Sequence, residues 1–130
     1  MSPSSSTNFT PPAYLPGEVW WVSFDPAAGP EINKVRPAVV VSIPQTLELD
    51  IRVVEPIREW KDWHARFPLL IPITPSATNG VTKNSSADTS QLKSVSRVDR
   101  FKGFRGRLSP EDLAEVYAGI RLCLGLTDSG

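Results

Sequence analysis

The chain has 130 residues, the size of a single domain, and its 40% hydrophobic and 22% charged content is ordinary for a globular protein. Its formal net charge is zero, so contact with a polyanion has to come from local clustering of bases. One cysteine excludes an internal disulfide and one histidine excludes a Cys/His zinc cluster; with no signal-peptide pattern and no run of ~18 apolar residues, a reducing, cytoplasmic setting away from the membrane is expected.

Thirteen prolines and eight glycines favour short strands and turns over long helices. Residues 1–14, rich in Ser, Thr and Pro, have too little apolar content to order themselves and are expected to form a flexible tail. A single domain is expected over residues 15–126, followed by a short tail over 127–130. From Gly17 to Phe24 the chain alternates: Trp20, Val22 and Phe24 on one face, Val19, Trp21 and Ser23 on the other. Pro26, Gly29 and Pro30 break this strand and leave Glu31 on a loop. Val35 to Ser42 is almost entirely apolar and reads as a central strand buried on both sides, with Arg36 at its base. After a turn over Gln45 to Asp50, Ile51 to Ile57 gives a third strand and Phe67 to Ile73 a fourth.

Thr74-Pro75-Ser76 and Asn79-Gly80 are turn signals, and Ser86 to Val98 supplies one or two further short strands. One helix is clearly marked. Ser109 is a natural N-cap, Pro110 suits the first helical position, and Asp112 stands three residues after the cap. Leu113, Val116, Tyr117, Ile120 and Leu124 then recur at helical spacing until Gly125 can close the helix. The pattern predicts a mainly β fold: a meander of five or six strands forming a small barrel, with a C-terminal amphipathic helix.

Glu31 and Arg36 flank the entry to the second strand, where loop curvature can bring a carboxylate and a guanidinium together. Attack of a 2′-hydroxyl on RNA needs a proton acceptor at that hydroxyl and positive charge at the phosphorus. Arg36 suits the second task, because arginine is a poor base but a good bidentate partner for phosphate oxygens. Glu31 is a candidate for proton transfer or orientation, and the alternative for the pair is a loop-closing salt bridge. From Lys83 to Arg107 seven bases stand against two acids, a local excess of five that can meet a polyanion or form a solvated hairpin. The Glu59 to Phe67 loop, with Trp60, Lys61, Trp63 and Arg66, interleaves bases and aromatics as single-stranded nucleic-acid sites do. His64 in that loop is expected at the surface, and Cys123 is expected as a small core residue on the apolar side of the helix.

The stretch PGEVWWVSFDPAAGPEINKVRPAVV resembles the N-terminal signature of the MazF/PemK family of toxin ribonucleases, which reads roughly Gly-Asp-Val-Trp-hydrophobic-Val-Asp-Phe-Asp-Pro, Gly-Ser-Glu, then Arg-Pro-Ala-Val-Val. A second block, NGVTKNSSADTSQLKSVSRVDR, is similar to the family's Asn-Gly-Leu-x-Lys-x-Ser followed by Gln-Ile-Arg-Thr-Ile-Asp, with Lys83, Ser85, Gln91, Lys93 and Ser94 matching. The resemblance runs from Pro16 to Leu126. It implies an SH3-like, partly open barrel of five to seven strands and metal-independent, cofactor-free cleavage of single-stranded RNA to a 2′,3′-cyclic phosphate. It also implies a homodimer and a cognate antitoxin as partner. The family's catalytic arginine falls on Arg36 and its loop glutamate on Glu31. The RNA-binding candidates are Trp21, Pro30, Lys34, Trp60, Lys83, Gln91, Lys93, Ser94 and Arg97.

Two positions depart from the family. Where it has a Thr or Ser contributing to catalysis after the third strand, this chain reads Val54-Glu55-Pro56-Ile57-Arg58, placing Arg58 at the hydroxyl position. Arg58 either adds a second cation at the phosphate or leaves a catalytically weakened RNA-binding protein; Thr74 is a candidate displaced hydroxyl. Ser23 stands where an Asp is common. A topoisomerase inhibitor of the CcdB type on the same fold is the remaining alternative, and the Leu126-Thr127-Asp128-Ser129-Gly130 ending argues against it, because those proteins use an apolar, Trp-containing end.

Overall fold

The computed structural model describes residues 13–43 and 49–126. Most of the expected 1–14 tail, the expected tail over 127–130 and most of the Gln45 to Asp50 turn lie outside the described residues. Among the described residues seven strands run in chain order, β1 (Glu18–Ser23), β2 (Val35–Val40), β3 (Ile51–Glu59), β4 (Leu70–Ile73), β5 (Ser85–Asp88), β6 (Lys93–Ser96) and β7 (Phe101–Arg107), with helices α1 (Arg97–Arg100) and α2 (Pro110–Leu124). Short 3-10 turns occupy Asp62–Arg66 and Thr89–Gln91.

The sheet is antiparallel and open, in the order β4-β5-β3-β2-β1-β7, with β6 paired to β3 off this path. The expected meander therefore holds only from β1 to β3. The long strand β3 then serves three partners: its first half pairs with β6, Val54 to Pro56 pair with β2, and Ile57 to Glu59 pair with β5. β7, which the sequence reading left unassigned, returns to pair with β1.

Alternation along β1 and β2 builds a core on each face of the sheet. Val19, Val39, Val41, Ile57, Ile71, Ile73 and Ala87 form one cluster, covered by Val116, Leu113, Tyr117 and Ile120 of α2. Trp20, Val22, Phe24, Ala38, Val40, Val54 and Val95 form the other. Burying side chains of this size stabilises the fold by about 1.5–3 kcal/mol each, and β2 supplies both clusters as expected of a strand buried on two sides. The second cluster corrects the tail boundary: Tyr14 stacks on Trp20 at 4.4 Å, and the amides of Ala13 and Tyr14 donate to the Glu18 carboxylate.

The helix forms as its sequence requires. Ser109 Oγ accepts from Asp112 N at 3.0 Å, Pro110 begins the first turn, and Gly125 closes the last at φ 72°. Its final turn is exposed, which leaves Cys123 at the surface instead of in the core, together with Leu122 and Leu124. β7 is seated by a close backbone approach: a Cβ at Gly106 would overlap the Thr78 carbonyl oxygen, which accepts from Arg107 N at 2.8 Å. The described residues contain no helix long and apolar enough to cross a membrane.

Candidate nucleic-acid interface

β2, β3 and β7 meet the loop before β5 around a cleft of about 360 Å³. Arg36 enters from β2, Arg58 and Glu59 from β3, Lys83 from the loop and Arg105 from β7, with Trp21 of β1 on its wall. Four cations therefore face one carboxylate. The cations are held largely by groups that leave their charge in place. Arg36 Nε donates to the Asn33 carbonyl at 3.1 Å, and the Arg105 guanidinium lies 4.4 Å from the Trp21 ring centroid and donates to the Gly80 carbonyl. Arg58 is the exception: its Nη1 is 3.5 Å from Asp88 Oδ2, while its guanidinium sits over the Trp63 ring at 5.9 Å. Positive potential gathered in a partly enclosed groove is what a phosphate backbone selects.

Two smaller hollows accompany this cleft among the described residues. One, about 190 Å³, shares Ser85 with it and is lined by Trp60, Pro72, Thr74 and Asn84. Thr74 thus lies outside the cationic cleft, and the hydroxyls lining that cleft belong to Thr82 and Ser85. The other, about 340 Å³, is lined by Glu31, Ile32, Ser90, Gln91, Leu92 and Lys93. Glu31 and Arg36 therefore line different clefts and form no ion pair with each other. The Glu31 carboxylate instead accepts from Ala28 N at 3.0 Å, within its own loop.

The remaining candidates divide between these surfaces and others. Pro30 and Lys34 are exposed on the loop between β1 and β2, where Lys34 has φ 64° and donates its amide to Asp25 Oδ1 at 2.9 Å. Ser94 is exposed on β6, and Arg97 is bound to Asp50 at 2.9 Å, so neither lines a cleft. Arg105, Glu59 and Thr82 are the polar cleft residues that sequence reasoning missed. Arg105 lay within the basic segment but between two glycines, and nothing local marked it out.

His64 corrects an expectation. It is fully buried, with Trp60 and Trp63 packed edge-on at 5.4 and 4.3 Å and Ser86 Oγ 2.9 Å from Nδ1. Burial, and then the charge of Arg58, lower its pKa, so the imidazole is a neutral structural hub beneath the loop. Among the described residues, no group of three or more His, Cys, Asp or Glu side chains is placed to hold a metal ion.

Residues 15–124 match the family described as PemK-like, MazF-like toxin of type II toxin-antitoxin systems. The chain is 32% identical over 116 residues to Endoribonuclease MazF9 of Mycobacterium tuberculosis, covering 85% of this chain and 95% of that protein. In fold it is similar to crystalline MazF of Deinococcus radiodurans, with TM-score 0.73 at 22% identity, covering 85% of this chain and 96% of the other. It is also similar to a mycobacterial endoribonuclease solved in complex with its cognate antitoxin, with TM-score 0.69 at 13% identity, covering 88% and 97%.

Proposed function

The chain belongs to the PemK-like, MazF-like family of type II toxins, and from that membership we propose that it is a toxin endoribonuclease that cuts single-stranded RNA and is silenced by a cognate antitoxin. The observation that carries the reading is the cleft in which Arg36, Arg58, Lys83 and Arg105 gather around Trp21. Such a cleft offers phosphate oxygens several charge-assisted partners and offers a base an aromatic face. In keeping with the family, the working form is a homodimer in the cytoplasm, and cleavage does not depend on a metal.

In this reaction the 2′-oxygen attacks the adjacent phosphorus and the bond from phosphorus to the 5′-oxygen breaks, the departing oxygen taking a proton from water, giving a 2′,3′-cyclic phosphate and a 5′-hydroxyl. Arg36 and Arg58 meet the negative charge that builds on the phosphoryl oxygens. The attacking hydroxyl must give up a proton, and Glu59 is the carboxylate that lines the same cleft. Glu31, in a separate cleft with Gln91 and Lys93, orders its loop and is assigned to contact with the continuing strand. Trp60, beyond Ser85, offers a stacking surface for a flanking base. Pro30, Lys34 and Ser94, exposed outside the clefts, are assigned to outlying contacts with the strand, whereas Arg97 is paired with Asp50.

The test is incubation of the purified chain with a long unstructured RNA in EDTA, followed by mapping of the 5′ ends. Discrete cuts with 5′-hydroxyl ends are expected, and Arg36→Ala should lower kcat by about 100- to 1000-fold. RNA that stays intact and unbound overturns the proposal. A second reading, an RNA-binding protein without activity, is favoured by the Arg58–Asp88 ion pair, which draws the Arg58 cation toward a carboxylate. RNA that is bound but uncut decides for it.

A further inference from the structure

We propose that Asp88 is a positioning residue that sets both parts of the RNA-binding surface: it anchors Arg58 in the cationic cleft and, through Gln91, fixes the backbone beside Glu31. The proposal rests on the RNA-cleaving reading above. Asp88 ends β5 and is only 3% exposed, yet its carboxylate serves four groups. Oδ1 accepts from Ser90 N at 3.1 Å and Ser90 Oγ at 2.5 Å. Oδ2 accepts from Gln91 Nε2 at 3.0 Å and lies 3.5 Å from Arg58 Nη1. The other end of the same amide, Gln91 Oε1, accepts from Ile32 N at 2.6 Å, joining segments 59 residues apart in sequence.

The direction of this relay is set by chemistry. A carboxylate only accepts, so the Gln91 amide must turn its NH2 group toward Asp88 and its oxygen toward the Ile32 N–H. With asparagine in place of Asp88, one side-chain oxygen can still accept from Ser90, but an NH2 group then faces Gln91. The Gln91 amide must turn round to meet it, and two donors are left facing each other at Ile32. The perturbation reaches the residue next to Glu31 through bond polarity with almost no change in shape. The same substitution removes the negative charge beside Arg58.

The polarity can be restored from the other side. In the double variant Asp88→Asn/Gln91→Glu, the asparagine NH2 donates to the new carboxylate, which also accepts from the Ile32 N–H. The measurements, on the full chain, are kcat and KM for RNA cleavage and hydrogen exchange of the Ile32 amide by NMR, referenced to β3 amides to remove changes in global stability. Asp88→Asn should lower kcat by between about tenfold and 100-fold without raising KM, and should speed Ile32 exchange. The double variant should recover Ile32 protection and part of kcat, the remaining deficit belonging to Arg58. Unchanged kcat and Ile32 exchange in the single variant, or a folded double variant that does not recover Ile32 protection, overturns the relay. If the parent chain cuts no RNA, the cleavage reading fails, and Ile32 exchange still decides the relay.

Discussion

Replacing Glu55 by glutamine is expected to remove a pH dependence of folding stability that the parent chain shows between pH 7 and 8.5. Glu55 lies mid-strand in β3 opposite Val39, fully buried, and among the described residues neither carboxyl oxygen has a hydrogen-bond partner. Burial, and secondarily the charge of Asp88, push its pKa from 4.5 to about 9. The folded chain therefore holds a proton that the unfolded chain releases above pH 4.5. Stability is complete below that value and is lost as the pH climbs toward 9, by about 1.4 kcal/mol per pH unit. Between pH 7 and 8.5 the loss is about 2 kcal/mol. Other groups with displaced titrations stay silent in this window. His64, lowered from 6.5 by burial, is mostly neutral in both states there, and Tyr117, raised from 10.0 by burial, is protonated in both. Glutamine keeps the shape and cannot ionise, so the variant should be more stable by about 3 kcal/mol at pH 7 and flat across the window. Urea denaturation followed by tryptophan fluorescence, at fixed protein concentration, measures both. A flat parent curve, or a variant that keeps the parent's slope, refutes the reasoning.

Two further outcomes follow from the same structure. If Arg36, Arg58, Lys83 and Arg105 each meet a phosphate, the logarithm of RNA affinity should fall with the logarithm of salt with a slope of about −3, and Arg105→Ala should reduce that slope by about 0.7, as read from filter binding over a salt series. Gly106→Ala forces a methyl into the Thr78 carbonyl and should cost about 1–3 kcal/mol; thermal denaturation checks it, and an unchanged Tm means that β7 is not held against the 78–80 turn.

What the sequence made legible, and what it hid, has physical causes. β1 and β2 announced themselves because each buries side chains on both faces, and α2 because Ser109, Pro110 and Gly125 mark its ends. β7 was hidden because glycines weaken a strand signal, whereas here Gly103 pairs in register with Trp21 and Gly106 admits the Thr78 carbonyl. His64 read as a surface group because only the fold brings Ser86 and the two indoles around it. Glu31 and Arg36 were paired on chain proximity, and the loop between them turns their side chains to separate clefts. Arg58 was found by its register within a known pattern. Its partner Asp88 was not, because a contact between neighbouring strands carries no local signature.

The pairing of the first strand with the last has a consequence for how the protein is made. β1, β2 and β3 leave the ribosome early, while the strand that fills the free edge of β1 and lays Arg105 on Trp21 comes only with residues 101–107. A growing chain thus holds Arg36 and Arg58 well before it holds the groove they serve. A protein that cuts RNA therefore completes its cleft only once residues 101–107 have joined the sheet.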